Sequence, residues 1–334
     1  MRAAQFSAVP IETNLTVQDD LPIPRTGKPL PKNSALIKVA YASLNPVDYK
    51  FPEFRLARLG MLGKAPWTPG CDYAGTVIET NLAHVKPGDR VSGFLEVPNM
   101  GTLAEYVLVQ GSEAVALVPE GLSLKDAASV CVAAQTALQA IVPFVETGSK
   151  VLINGASGGT GTYEIQVAKN LGCEVTAICS GSNVDFCKSL GADHVIDYKS
   201  VDVTQELRKR GQQYDYIIDN ITVGGPIYTN SEQYLKTDGL YNTIAFGPNL
   251  DTVIGVFKLF LHPSWLGGVR RKGGQVLCKP NAKELTEIGV QVRDGTLKTS
   301  IERVYKLEQI GEAYAVLKSK HVRGKLVIQV AEET

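Results

Sequence analysis

The chain has 334 residues, too many for one ordinary compact domain and suited to two. Its 34 basic and 34 acidic residues cancel, so no excess field draws it to nucleic acid or an anionic membrane, and neither is expected as a partner. With 44% apolar residues, 20% charged and 32 glycines, the composition is that of a globular protein able to bury a core in each domain.

The first 118 residues read as strand and turn. Residues 35–41 and 73–79 predict strands, and Lys86-Pro87-Gly88-Asp89 a turn feeding another. No helix alternates with them, so residues 1–120 are expected to form a small β-rich domain. Near Pro119 the pattern changes. An alanine-rich helix over 126–142 precedes apolar strands at 151–154, 174–178, 194–196, 216–219, 240–244 and 275–278. Helices over 163–171 and 184–190 separate the first three. Continuous apolar strands separated by helices indicate a parallel sheet covered on both faces. The fold class is therefore α/β, a β-rich domain joined to a doubly wound dinucleotide-binding domain over 121–280. An amphipathic helix over 282–293 and a last strand over 324–330 follow. That strand is expected to close the first domain's sheet, so that 281–334 complete it.

The six cysteines (Cys71, Cys131, Cys173, Cys179, Cys187, Cys278) lack disulfide or CxxC spacing, and several sit in apolar runs. They read as a reducing compartment, and with no signal-like opening segment the expected location is cytoplasmic. The longest apolar stretch, 253–266, is interrupted by Lys258, His262 and Pro263, so no membrane span is expected. Arg270-Arg271-Lys272, the candidate basic patch, reads as a solvated turn. The stretch 257–266 has three open readings: the roof of an apolar substrate pocket, a buried helix, or a subunit interface.

Gly155-Ala156-Ser157-Gly158-Gly159-Thr160-Gly161 stands between a predicted strand and a predicted helix, the context that makes such a loop a dinucleotide fingerprint. Small residues let the chain turn sharply, approach a pyrophosphate and aim helix N-terminal amides at its charge. Ala156 stands where the usual fingerprint has its first glycine, and it is tolerable there if its φ is negative. NAD-preferring folds end the second strand on Asp or Glu. Here it ends Cys179-Ser180-Gly181-Ser182-Asn183, with no acid before Asp185. Hydroxyls and an amide can bind a 2′-phosphate that a carboxylate would repel, so NADPH is the expected cofactor.

These residues, with Trp67-Thr68-Pro69-Gly70-Cys71-Asp72-Tyr73-Ala74-Gly75, Val85-Lys86-Pro87-Gly88-Asp89-Arg90-Val91, Leu190-Gly191-Ala192-Asp193 and Gly324-Lys325, resemble the medium-chain dehydrogenase/reductases. The resemblance covers essentially the whole chain. Leu44-Asn45-Pro46-Val47-Asp48 resembles the signature of the zinc-free quinone oxidoreductase and enoyl (alkenal/enone) reductase branch. The resemblance implies a GroES-like β-rich catalytic domain facing a Rossmann nucleotide-binding domain across a cleft. It also implies contacts: Asn45 and Asp48 by the nicotinamide ribose, Thr136 by the carboxamide, and Ser157, Gly158, Gly159, Thr160 and Gly161 at the pyrophosphate. Ser180 and Asn183 would hold the 2′-phosphate and Tyr198 the adenosine side. Ile244, Phe246 and Gly247 would follow the fifth strand into the cleft, and Lys325 would close from the C-terminal segment. The family's alcohol dehydrogenases carry zinc ligands where this sequence has Asn45 to Val47 and Cys71. A catalytic zinc needs three converging protein ligands. Cys71 with His84 and Glu79 does not supply them, and residues 92–115 hold no cysteine, so no metal is expected.

A hydride acceptor that no metal polarises must already be electron-poor. An apolar α,β-unsaturated carbonyl (enone, enal or enoyl thioester) meets this: hydride adds to the β-carbon, and the protein stabilises an enolate and delivers a proton. Similar enoyl reductases carry a tyrosine or lysine in this region. Lys50, Tyr49 and Tyr73 are thus the candidate catalytic groups, with solvation or core packing as the alternative for each. Three other functions stay open: a quinone reductase, a trans-acting enoyl reductase of a polyketide synthase docking a carrier protein, and a non-catalytic NADPH-binding partner. The chain is expected as a monomer or a homodimer.

Overall fold

A computed structural model describes residues 1–333 except 25–28, 55–59, 212, 248–249 and 262–267. The chain divides into two compact units, Met1–Gln135 with Lys279–Thr334, and Thr136–Cys278.

The first unit opens with β1 (Ala3–Gln5), α1 (Ile11–Asn14), β2 (Thr16–Gln18), β3 (Ser34–Ser43), α2 (Pro46–Glu53), β4 (Asp72–Thr80), β5 (Arg90–Phe94), β6 (Tyr106–Gln110) and β7 (Ala116–Leu117), and runs into α3 (Leu124–Ile141). β3 is buried over most of its length because β4 pairs with one edge and β6 with the other. α2 departs from the expected all-strand reading. Its start signals are ordinary, Pro46 at the first helical position and Asp48 in the first turn. The helix is only eight residues long and contains Pro52, which hides it from periodicity.

The seam between the units falls inside α3, and not at residue 120. Leu124, Ala127 and Ala128 pack with Ala40, Ala74, Val118 and Leu122 in a core of the first unit, which keeps the start of the helix on that side. Among the described residues one helix, Leu124–Phe144, is long and apolar enough to cross a bilayer by length and composition. The longest apolar stretch is therefore here and not at 253–266. Two-thirds of it is buried, as in a core helix.

The second unit follows as β8 (Lys150–Asn154), α4 (Gly159–Asn170), β9 (Glu174–Cys179), α5 (Val184–Ser189), β10 (His194–Asp197), α6 (Val203–Arg210), β11 (Tyr214–Asp219), α7 (Pro226–Thr229), β12 (Leu235–Thr243), α8 (Leu250–Phe260) and β13 (Lys272–Gln275). Its six strands are all parallel in the order β10-β9-β8-β11-β12-β13. That order reverses direction between β8 and β11, the arrangement of a doubly wound sheet, whose ligands sit at the strands' carboxyl ends beside this point. The sixth strand lies three residues before the predicted 275–278. A Cβ on Gly273 would stand 2.3 Å from Leu259 Cδ1, and one on Gly274 2.5 Å from Asn242 Oδ1. Glycine at both positions gives these side chains room, so the strand carries no apolar signal. α8 corrects the buried-helix reading of residues 257–266. Within it Gly255 and Leu259 are buried, while Leu250, Val253, Phe257 and Phe260 are 52–72% exposed. Residues 262–266 of that stretch lie outside the described residues.

The chain then returns to the first unit with α9 (Ala282–Arg293), β14 (Ile301–Lys306), α10 (Ile310–Lys318) and β15 (Lys325–Gln329). β15 pairs antiparallel with the end of β3, Val327 opposite Ser43, in a sheet ordered β14-β15-β3-β4-β5-β7. The Leu44 N–H donates to Leu326 O at 3.0 Å, which sets Lys325 beside the turn leaving β3.

Candidate active site

In the second unit, Gly155 takes the left-handed φ of +78°, and its N–H and that of Ala156 both donate to Ile178 O at 3.2 and 3.1 Å. Ala156 needs no positive φ and is wholly buried, so alanine serves where the usual fingerprint has glycine. A Cβ on Gly161 would lie 2.4 Å from Gly155 O and 2.7 Å from Ala156 Cα, so glycine there lets α4 press against the loop. No side chain caps α4 at Gly158, which leaves its N-terminal amides for an anion. Gly161→Ala is expected to push the loop off the helix and raise the dissociation constant for a nicotinamide cofactor at least about tenfold, ~1.4 kcal/mol. Calorimetric titration checks it, and unchanged affinity would refute the packing role.

Beside this N-terminus the Asn183 Nδ2 donates to Ser157 Oγ at 3.0 Å and to Ser180 Oγ at 3.2 Å. Ser180 and Ser182 share a further hydrogen bond of 3.1 Å. Tyr198, half-exposed, joins through its N–H to Cys179 O at 3.1 Å. The structure thus gathers Ser157, Ser180 and Asn183, with Tyr198 next to them and the partly exposed Gly158, Gly159 and Thr160 alongside. Ile244 follows the end of β12 rather than lying in it, and Phe246 and Gly247 continue from there. Thr136 is buried on α3.

Two carboxylates here escaped the sequence reading. Asp197, ending β10, approaches the loop so closely that a Cβ on Gly181 would stand 2.6 Å from its Oδ2. The Ser200 hydroxyl and the Lys199 N–H bind it and hold it below the usual carboxylate range. The Gly181 N–H binds it too, so it ties the loop after β9 to its own turn. Glu164, on the buried face of α4, accepts from Asn220 Nδ2 at 2.7 Å through Oε2, while Oε1 has no partner among the described residues. Burial, with a smaller push from Asp219, raises it to about 8 against the pull of the Asn220 amide.

In the first unit, Asn45 precedes α2 and Asp48 Oδ2 accepts its N–H at 2.8 Å. Asp48 is fully buried, and its Oδ1 lacks a nitrogen or oxygen partner among the described residues, the Cys71 thiol being the weak donor nearby. Burial pushes Asp48 up to about 7 against the Asn45 N–H bond, and the Asp72 carboxylate adds to the rise. Asn45, Asp72 and Lys325 form one buried network. Lys325 Nζ lies 2.6 Å from Asn45 Oδ1 and 3.2 Å from Asp72 Oδ2, and Asn45 Nδ2 lies 2.8 Å from the same Asp72 oxygen. Asp72 was legible only as part of a motif, because nothing in its own neighbourhood of sequence announces partners on β3 and β15.

The candidate catalytic groups separate. Tyr73 is wholly buried, and its hydroxyl donates to Ala114 O at 2.7 Å. Burial drives its pKa far up. Tyr49 is also buried, with Lys318 Nζ 5.4 Å from its ring centre, and burial and Glu53 raise its pKa. Lys50 is partly buried on α2, and burial followed by the nearby Lys320 lowers its pKa. Of the three it alone is shifted toward easier proton release.

Two family models match the chain: "Alcohol dehydrogenase GroES-like domain" over residues 31–120 and "Zinc-binding dehydrogenase" over 190–328. The trans-enoyl reductase pgmF of Aspergillus terreus is 36% identical over 349 residues, covering 99% of this chain and 97% of the relative. The chain belongs to the medium-chain dehydrogenase/reductase superfamily. A chloroplastic quinone-oxidoreductase homolog of Spinacia oleracea is 31% identical and covers 98% of each chain. The quinone oxidoreductase structure from Coxiella burnetii superposes with a TM-score of 0.85 at 31% identity, over 99% of each chain. Within the superfamily the chain stands in the quinone oxidoreductase and enoyl reductase branch, and it is an oxidoreductase. As such it uses a nicotinamide cofactor and acts on a small molecule. The uncapped N-terminus of α4 and the Ser157, Ser180 and Asn183 polar groups fit the phosphates of that cofactor. The zinc that one matched model's description implies does not fit. Among the described residues no group of three or more His, Cys, Asp or Glu side chains is arranged to hold a metal, and His84 Nε2 is engaged with Val115 O at 2.8 Å.

Proposed function

We propose that this medium-chain reductase is NADPH-dependent and zinc-independent, and that it transfers hydride to an activated carbon–carbon double bond in an enone, enal or enoyl thioester. The observation that carries the cofactor reading is the hydroxyl and amide cluster of Ser157, Ser180 and Asn183 beside the open α4 N-terminus. When bound, the nicotinamide supplies the hydride. The chain's part is to orient cofactor and acceptor and to manage one proton. Lys50 is the proposed proton donor, since burial already weakens its hold on the ammonium proton. The other predicted contacts (Asn45, Asp48, Thr136, Tyr198, Ile244, Phe246 and Gly247) belong to this reading.

The donor set unsuited to zinc supports an acceptor that is electron-poor by itself, and the 36% identity to a trans-enoyl reductase favours an enoyl group. The quinone reading draws on the spinach and Coxiella relatives. None of the six cysteines forms a disulfide, in keeping with the proposed cytoplasmic location. The test follows NADPH absorbance with purified protein against enones, enals, free and carrier-bound enoyl thioesters, and quinones. Turnover of a C=C class at least about tenfold above quinones, undiminished by chelator, is the expected result. Quinone turnover alone would move the assignment to a quinone reductase, and loss of activity on chelation would end the zinc-independent reading.

A further inference from the structure

We propose that Lys325 and Asp72 are positioning residues that act through Asn45, and that Lys325 makes no contact of its own with the cofactor. The proposal rests on the reading above that Asn45 touches the cofactor. Lys325 Nζ donates to Leu44 O at 3.1 Å, to Asn45 Oδ1 at 2.6 Å and to Asp72 Oδ2 at 3.2 Å. An ammonium has three donor hydrogens. All three are engaged inside the first unit, and the residue is 2% exposed, so none is left for a ligand.

Asp72 completes the device. Its Oδ2 accepts from Ser43 Oγ at 2.5 Å and from Asn45 Nδ2 at 2.8 Å as well as from Lys325, and its Oδ1 accepts from the Val132 N–H of α3 at 3.0 Å. The side-chain amide of Asn45 is therefore gripped at both ends, its oxygen by a cation and its nitrogen by an anion. An isolated asparagine turns its amide over at little cost, because oxygen and nitrogen have nearly the same size. Here the charges forbid the flipped form, in which the nitrogen would face the ammonium and the oxygen the carboxylate. The second Nδ2 hydrogen of Asn45 is thereby given a fixed direction.

The test is a double-mutant cycle read by calorimetric titration with NADPH and, in parallel, NADH, so no turnover is needed. Lys325→Met, Asn45→Ala and the double variant are compared with the wild-type chain. Action through Asn45 predicts that each single substitution raises the dissociation constant by a similar factor, on the order of tenfold, and that the double variant is no worse than the weaker single one. Losses that multiply, to about a hundredfold, would mean that Lys325 acts on the cofactor independently and would overturn the proposal. So would a Lys325→Met variant that melts lower but binds normally. An Asn45→Ala variant with wild-type affinity would instead remove the premise that Asn45 touches the cofactor. Because Lys325→Met strands a buried carboxylate and can unfold the chain, Asp72→Asn/Lys325→Met is measured beside it. That neutral pair is expected to fold and to bind as weakly as Asn45→Ala, and wild-type binding by it would likewise overturn the proposal.

Discussion

Glu164→Gln is expected to stabilise the protein by about 5 kcal/mol at pH 9 while changing little at pH 4. The folded chain holds the Glu164 carboxyl at about 8, against an ordinary value of 4.5. Between those values the folded state keeps a proton that the unfolded state has released. Stability linked to this group is thus full below about pH 4.5 and is lost as pH rises through about 8. The cause is the buried α4 face, where among the described residues one carboxyl oxygen has a single amide donor and the other has none. Glutamine keeps the neutral shape and removes the titration. Urea unfolding of both proteins at intervals from pH 4 to 9 measures the difference, and parallel curves would show that Glu164 is not held protonated. Asp48→Asn should act in the same direction in the first unit, with its window running from 3.8 to about 7. Taking the difference between variant and wild type cancels the opposite contributions of carboxylates held low, such as Asp193 and Asp215.

Ser180→Asp is expected to lower kcat/KM for NADPH about a hundredfold while leaving that for NADH nearly unchanged. Ser180 Oγ sits 3.2 Å from Asn183 Nδ2 and 3.1 Å from Ser182 Oγ, inside the cluster assigned to the 2′-phosphate. A carboxylate placed there faces that phosphate at short range, and at this buried position beside exposed Gly181 and Ser182 the repulsion is about 3 kcal/mol. It also converts the end of β9 to the form that NAD-preferring folds show. The ratio of the two kcat/KM values is the quantity to follow, since general damage lowers both equally. An unchanged ratio would place the 2′-phosphate elsewhere or show that the cofactor carries none.

Much of this was legible before any coordinates. Period and composition locate β3, β4, β8, β9, β11, α3 and α9 because each buries a continuous apolar face, and burial is what writes a pattern into sequence. The glycine loop was legible because close approach of α4 to Gly155 leaves room for no side chain at Gly161. β13 is concealed, because Gly273 and Gly274 give it no apolar side chains.

The sequence by itself determined the α/β class, the return of the chain's end to a strand, the dinucleotide loop and the lack of a zinc ligand pattern. These depend on residues near one another in the chain, or on residue types that are simply absent. Only the tertiary structure decided what the buried charges do. Lys325 and Asn45 are 280 residues apart in sequence, yet the pairing of β15 with β3 brings them to 2.6 Å. The same folding sets the Tyr73 hydroxyl on Ala114 O, raises Asp48 and Glu164, and brings Asp197 against Gly181. Desolvation and opposing charge act through space at a few ångströms, and distance along the chain carries no record of them.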